Sequence, residues 1–152
     1  KLIIADVDGT LTDGRITVSD SGDQMRRFHS RDGLAMRKLI ENGYQVGIIT
    51  AALTAGSVKT RAEMLGVQWL YIGLDNKLDV LKRWCEELNI TPDQVAYVGD
   101  DILDLEIMQA VGLSACPANS VDKIKKIATT ILTKDGGDAC FREFTDLYFD
   151  VC

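Results

Sequence analysis

Short apolar runs that stop at a polar residue and hand over to an amphipathic stretch set the architecture of this chain. "KLIIADV" and "YQVGIIT" read as buried strands, and "VQWLYIG", "VAYVGD", "LSACP" and "TTILT" as further strands. "RDGLAMRKLIENG", "AGSVKTRAEMLG", "NKLDVLKRWCEELN", "ILDLEIMQAVG", "SVDKIKKIA" and the closing "CFREFTDLYFD" are expected helices. The clearest carries Leu78, Leu81, Trp84, Cys85 and Leu88 on one face. Gly43 and Gly66 stand where helices should end. Strands alternating with helices predict an α/β fold, a mainly parallel sheet flanked by helices. One segment breaks the alternation: "GRITVSDSGDQMRRFHS" pairs Ile16 and Val18 with Met25 and Phe28 around a polar turn, a hairpin signature.

The chain has 152 residues with no repeat, low-complexity stretch or linker, so one domain over residues 1–152 is expected, with the hairpin at about 15–28. A net charge of −6 argues against broad binding to nucleic acid or an anionic membrane, both of which require a basic surface. No apolar run reaches the length of a membrane span and no signal-like leader is present. The sequence opens directly on a strand without Met, which leaves room for a few residues ahead of Lys1. Cys85, Cys116, Cys140 and Cys152 form no C-x-x-C pair, and His29 is the one histidine. Reduced thiols in a cytoplasmic protein are therefore expected, with His29 at the hairpin or surface.

In open α/β sheets ligands bind beyond the carboxyl ends of the strands. Asp6 and Asp8 follow the first strand, Thr50 ends the second buried one, and Gly99-Asp100-Asp101 ends "VAYV". Asp104 lies one helical turn beyond Asp100, so both can face one side. Carboxylates converging from separate strand ends suit a hard cation, and Mg²⁺ fits best, taking one or two carboxylates, waters and a phosphate oxygen. A calcium loop starting at Asp6 is excluded: its sixth position is Leu11 where Gly is needed, and its twelfth is Thr17 where Glu is needed. Lys77 opens a helix, where a cation opposes the helix dipole, so a purely structural role is disfavoured. Asp13 and Asp32 suit a turn and a helix start.

Asp6-Val-Asp8-Gly9-Thr10, Thr50 after "GII", Lys77 and "GDDILD" resemble, in order, the motifs of the haloacid dehalogenase (HAD) superfamily. "DGTLTDG", "RDGLAM", "QVAYVGDD", "VGLSACPA" and "GGDACFRE" more narrowly resemble 3-deoxy-D-manno-octulosonate 8-phosphate (KDO8P) phosphatases and their nine-carbon sugar-acid relatives. The resemblance implies a HAD-like Rossmannoid fold with the small β-hairpin in place of a cap domain. It implies phosphate ester hydrolysis through an aspartyl-phosphate on Asp6, with Asp8 as general acid and base. Thr50 and Lys77 would bind the phosphoryl group. Mg²⁺ would be held by Asp6, the Asp8 backbone carbonyl and Asp100, with Asp101 or Asp104 orienting them.

The family resemblance also implies a homotetramer built through the hairpins, a neighbour helping to close each site. A sugar-acid phosphate carries a carboxylate besides its phosphate, and Arg61 and Arg142 are the candidate cations. The family continues the second motif as Thr-Gly followed by a charged residue that tracks the sugar acid. This chain has Thr50-Ala51-Ala52 instead, in a segment about one residue longer. The expected activity is Mg²⁺-dependent KDO8P hydrolysis. Alternatives are the same chemistry on a nine-carbon acid such as KDN 9-phosphate, or a non-catalytic oligomerisation module. The presence of Asp6, Asp8, Lys77 and Asp100 disfavours the last.

Overall fold

The computed structural model describes residues 1–54 and 56–152; Ala55, with which one expected helix begins, lies outside the described residues. Six strands, β1 (Leu2–Ala5), β4 (Gln45–Thr50), β5 (Trp69–Ile72), β6 (Val95–Val98), β7 (Leu113–Cys116) and β8 (Thr130–Ile131), form one sheet in the order β5-β4-β1-β6-β7-β8. Every neighbouring pair is parallel. A separate antiparallel hairpin joins β2 (Thr17–Val18) to β3 (Gln24–Met25). The helices are α1 (Ser30–Glu41), α2 (Gly56–Leu65), α3 (Lys77–Leu88), α4 (Leu105–Ala110), α5 (Asp122–Lys125) and α6 (Cys140–Tyr148).

Alternation along β1 divides the core in two. Ile3 and Ala5 join Met36 and Leu39 of α1 and Phe141 and Phe144 of α6. Leu2 and Ile4 point the other way, to Leu81 and Trp84 of α3 and Ile107 of α4. With both faces covered, β1 needs apolar residues at every position, which is why "LIIA" is continuous rather than alternating.

Two expected helices are shorter than their sequence patterns. The "SVDKIKKIA" helix is confined to Asp122–Lys125, because the chain must turn within four residues to pair Thr130 with Ala115. The "ILDLEIMQAVG" helix starts at Leu105, because Asp101 and Asp104 cap a 3₁₀ turn over Ile102–Asp104. That turn matters to the site described next.

Candidate active site

Parallel register sets three strand ends side by side. Ala5 is level with Ile48 of β4 and with Val98 of β6. The loop after β1 therefore meets Thr50 on one side and Gly99–Asp100 on the other. The Asp6 backbone N–H still donates to the Val98 carbonyl at 3.0 Å, so Asp6 leaves the sheet in a fixed direction. Beyond it the chain curls in a wide turn over Val7–Leu11, with Gly9 at φ +92°. A Cβ at Gly9 would come within 2.1 Å of Asp100 Oδ2, so only glycine supplies both this backbone conformation and the close approach.

Lys77 reaches the same point from the start of α3. Asn76 caps that helix by accepting from the N–H groups of Leu78 and Asp79, leaving Lys77 as the first helical residue, directed inward and 6% exposed. Its Nζ donates to Asp6 Oδ1 and to Asp104 Oδ1, both at 2.6 Å. The Tyr97 hydroxyl, from the buried strand β6, also donates to Asp104 Oδ1 at 2.6 Å. The second oxygen of Asp104 accepts from the N–H groups of Asp100 at 2.9 Å and Asp101 at 3.2 Å, which the 3₁₀ turn makes possible. Thr10 Oγ1 donates to Asp100 Oδ1 at 3.2 Å.

Three carboxylates, Asp6, Asp100 and Asp104, thus surround one ammonium, with an oxygen from each lying within 4.8 Å of the others. Burial, then the negative charge of Asp104, pushes Asp6 above the usual carboxylate range despite Lys77. Burial and Asp104 likewise raise Asp100, to about 6. Burial alone would lower the pKa of Lys77, but Asp6 and Asp104 more than offset it and hold the ammonium charged. Negative charge is in excess, and a divalent cation is what this donor set accommodates. Asp104 has its oxygens taken by Lys77, Tyr97 and two backbone N–H groups. Asp6 and Asp100 are the freer pair, and Asp104 aligns the residues around them.

Asp8 turns to a different cation. Its two oxygens accept from Arg26 of the hairpin, Nε at 2.7 Å and a terminal nitrogen at 3.2 Å. Thr50 is 1% exposed at the end of β4, where its carbonyl accepts from the Gly73 N–H.

Similarity to known proteins places this geometry. Residues 70–142 match the haloacid dehalogenase-like hydrolase family. Over 147 residues, 97% of this chain and 78% of the relative, the sequence is 38% identical to the KDO8P phosphatase KdsC of Escherichia coli K12. The crystal structure of the Yersinia pestis KDO8P phosphatase matches with a TM-score of 0.92 at 37% identity, covering 96% of this chain and 78% of that one. A Moraxella catarrhalis KDO8P phosphatase, solved with magnesium, phosphate and KDO, also matches at 0.92, with 33% identity over 97% of this chain and 84% of that one. The chain belongs to the KDO8P phosphatase family of haloacid dehalogenase-like hydrolases.

Among the described residues no large cap domain accompanies the sheet, and the hairpin stands in that slot as the family resemblance implies. Other expected site residues lie elsewhere. Asp101 is exposed: its Oδ1 accepts from the Ile102 N–H at 2.6 Å, and it reaches the cluster only through the reciprocal cap it forms with Asp104. Arg142, offered as a substrate cation, pairs with Asp146 at 2.7 Å along α6. Arg61 lies over the Phe28 ring, 5.9 Å from its centroid, and against Gly33. Neither makes a contact with the Asp6 cluster among the described residues. His29 caps α1, its Nδ1 accepting from the Arg31 N–H at 3.1 Å. Asp13 is a turn residue whose carboxylate accepts from the Arg15 N–H. Arg26 and Tyr97 escaped the sequence reading. Tyr97 is indistinguishable from core within "VAYV", although a hydroxyl in a buried strand always needs a polar partner.

Asp32 carries a consequence for stability. It is 3% exposed at the start of α1, its Oδ1 accepting from the Arg142 N–H at 2.8 Å and its Oδ2 buried without a partner. Burial raises its pKa to about 7, against the N–H groups of Arg142 and Phe141 and the charge of Arg61; Asp138 raises it further. A folded-state value above the unfolded 3.8 means stability that is complete below the unfolded value and lost as pH rises through about 7. Asp32→Asn keeps the acceptor for Arg142 and is expected to gain up to about 4 kcal/mol over the parent near neutral pH and above. Melting at about pH 8 and about pH 4 checks this, since an advantage equal at both would exclude titration of Asp32 as its source.

Proposed function

We propose that this chain is a Mg²⁺-dependent phosphatase that hydrolyses KDO8P to KDO and phosphate. The observation that carries the reading is Asp6 at the end of β1, buried, held by Lys77 and set in a cluster whose negative charge calls for a cation. A cavity of about 360 Å³, lined by Ala51, Asn76, Lys77 and Leu103 among others, opens beside Lys77 for the sugar. The relatives' names and the Moraxella catarrhalis complex support both the substrate and the metal.

Asp6 attacks phosphorus as the bond from phosphorus to the sugar oxygen breaks, and Asp8 gives that oxygen its proton. Asp8 then takes a proton from water, which attacks the aspartyl-phosphate, releases phosphate and restores Asp6. Lys77 keeps a fixed positive charge beside the nucleophile, and the Thr50 hydroxyl donates to a phosphoryl oxygen. Asp6, the Asp8 backbone carbonyl and Asp100 would hold Mg²⁺, which would supply positive charge to offset that of the transferring group. Asp104 keeps Asp6 and Asp100 in place through Lys77 and backbone N–H groups. The chain acts as one domain over residues 1–152 in the cytoplasm.

Phosphate release with Mg²⁺ from KDO8P, KDN 9-phosphate and simple sugar phosphates tests the assignment. Strong preference for KDO8P means that selection does not need the charged residue that Ala52 replaces. Preference for KDN 9-phosphate would transfer the chemistry to the nine-carbon acid, and no turnover with any would favour the oligomerisation module.

The same proposal includes a homotetramer through the hairpin, whose Ile16, Val18 and Met25 are 40%, 60% and 58% exposed, whereas Phe28 already packs on the core. Light scattering is expected to give four times the 16.7 kDa chain mass, and Val18→Asp to lower it. A monomer at micromolar concentration would refute the assembly.

A further inference from the structure

Asp6 and Asp8 are two residues apart yet answer to cations from different elements of the fold. Asp6 faces Lys77 of α3, whereas Asp8 is forked by Arg26, which follows Met25 of the hairpin strand β3. The fork uses Nε and one terminal nitrogen against the two carboxylate oxygens, the arrangement that fixes a planar carboxylate most firmly. Met25 beside it is 58% exposed, but the Arg26 side chain is 1% exposed. One terminal nitrogen is shared with Gln24 Oε1 at 3.2 Å, and the other is buried without any partner. Sealing a guanidinium with an unpaired donor costs free energy, and the short two-residue hairpin ladder has no need of it.

We infer that Arg26 is a positioning residue for the phosphatase reaction: it aims Asp8 at the leaving oxygen and keeps it out of the Asp6–Lys77 cluster. An unclasped Asp8 would compete with Asp6 for Lys77 and for a bound cation, because nothing else among the described residues bonds to its carboxylate. The inference rests on the acid and base reading of Asp8, and its test separates the two.

Leaving groups provide the separation. The sugar oxygen of KDO8P must be protonated as it departs, whereas para-nitrophenolate leaves without a proton. In rapid-mixing measurements of the first turnover with Mg²⁺, Arg26→Gln is expected to slow KDO departure at least about tenfold. The same variant should slow para-nitrophenolate departure less than about threefold, with Arg26→Lys regaining part of the loss. Asp8→Asn, run alongside, should show the same asymmetry. If it does not, the reading of Asp8 fails whatever Arg26 does. If Asp8→Asn is asymmetric but Arg26→Gln slows both leaving groups alike, or raises only KM, the positioning role is overturned. Should Arg26→Gln prove unfolded by circular dichroism, Arg26→Lys decides by the same comparison: asymmetry supports the role, and full rates with both substrates refute it.

Discussion

Asp6→Asn is expected to abolish phosphate release, by at least about a thousandfold, without destabilising the protein. The amide is not a nucleophile, so no aspartyl-phosphate forms. It keeps the shape of the side chain and an oxygen able to accept from Lys77 Nζ. It also removes one negative charge from a cluster in which Asp6, Asp100 and Asp104 outnumber Lys77. In EDTA the variant should therefore melt at or above the temperature of the parent, the pattern of a site in which function costs stability. Phosphate release and melting in EDTA check both halves. Substantial residual turnover would end the nucleophile assignment, and a melting temperature several degrees lower would mean that charge excess does not govern the site.

Lys77→Met should have the opposite effect on stability. It removes the cation and leaves two buried carboxylates without their 2.6 Å partner. Stranding one partner of a buried ion pair costs about 3–5 kcal/mol. Turnover should fall at least about a thousandfold, because the fixed charge beside the nucleophile is lost. Mg²⁺ should restore part of the lost stability by binding the folded state, although not the activity. Thermal melting with and without Mg²⁺ is the measurement. An unchanged melting temperature in EDTA would show that the two carboxylates do not depend on Lys77 for their burial. Taken together, the two substitutions change the cluster charge in opposite directions, so a common loss of stability would refute the electrostatic account.

Much of this site was legible before any coordinates. "LIIA" is apolar at every position because β1 is covered on both faces, and the polar residue that ends such a strand must lie at the sheet's carboxyl edge. Asp6, Thr50 and Asp100 were found by that rule alone. Lys77 was singled out by the family resemblance, and a cation opening a helix, where it opposes the dipole, disfavoured a purely structural role. These signals are local, carried by a few consecutive residues and their spacing. The hairpin, too, was announced by its turn and by the alternation on either side of it.

What escaped notice depends on contacts between distant residues. Arg26 sits in "GDQMRRF", where two adjacent arginines look like solvated charge. Only the return of the hairpin across the sheet edge buries one of them against Asp8, 18 residues earlier, while Arg27 stays exposed beside Asp13. Arg61 and Arg142 stand next to family-like motifs, and the fold sets them over Phe28 and beside Asp146, contacts that the sequence does not announce. The sequence treated Asp101 and Asp104 as equivalents. A 3₁₀ turn in place of an α-turn separated them, folding Asp104 back onto two N–H groups and Lys77 and leaving Asp101 as an exposed cap. Periodicity and strand ends determine where along the chain carboxylates can gather. Which cation each one meets is decided only by tertiary packing, because hydrogen bonds and burial depend on neighbours in space rather than in sequence.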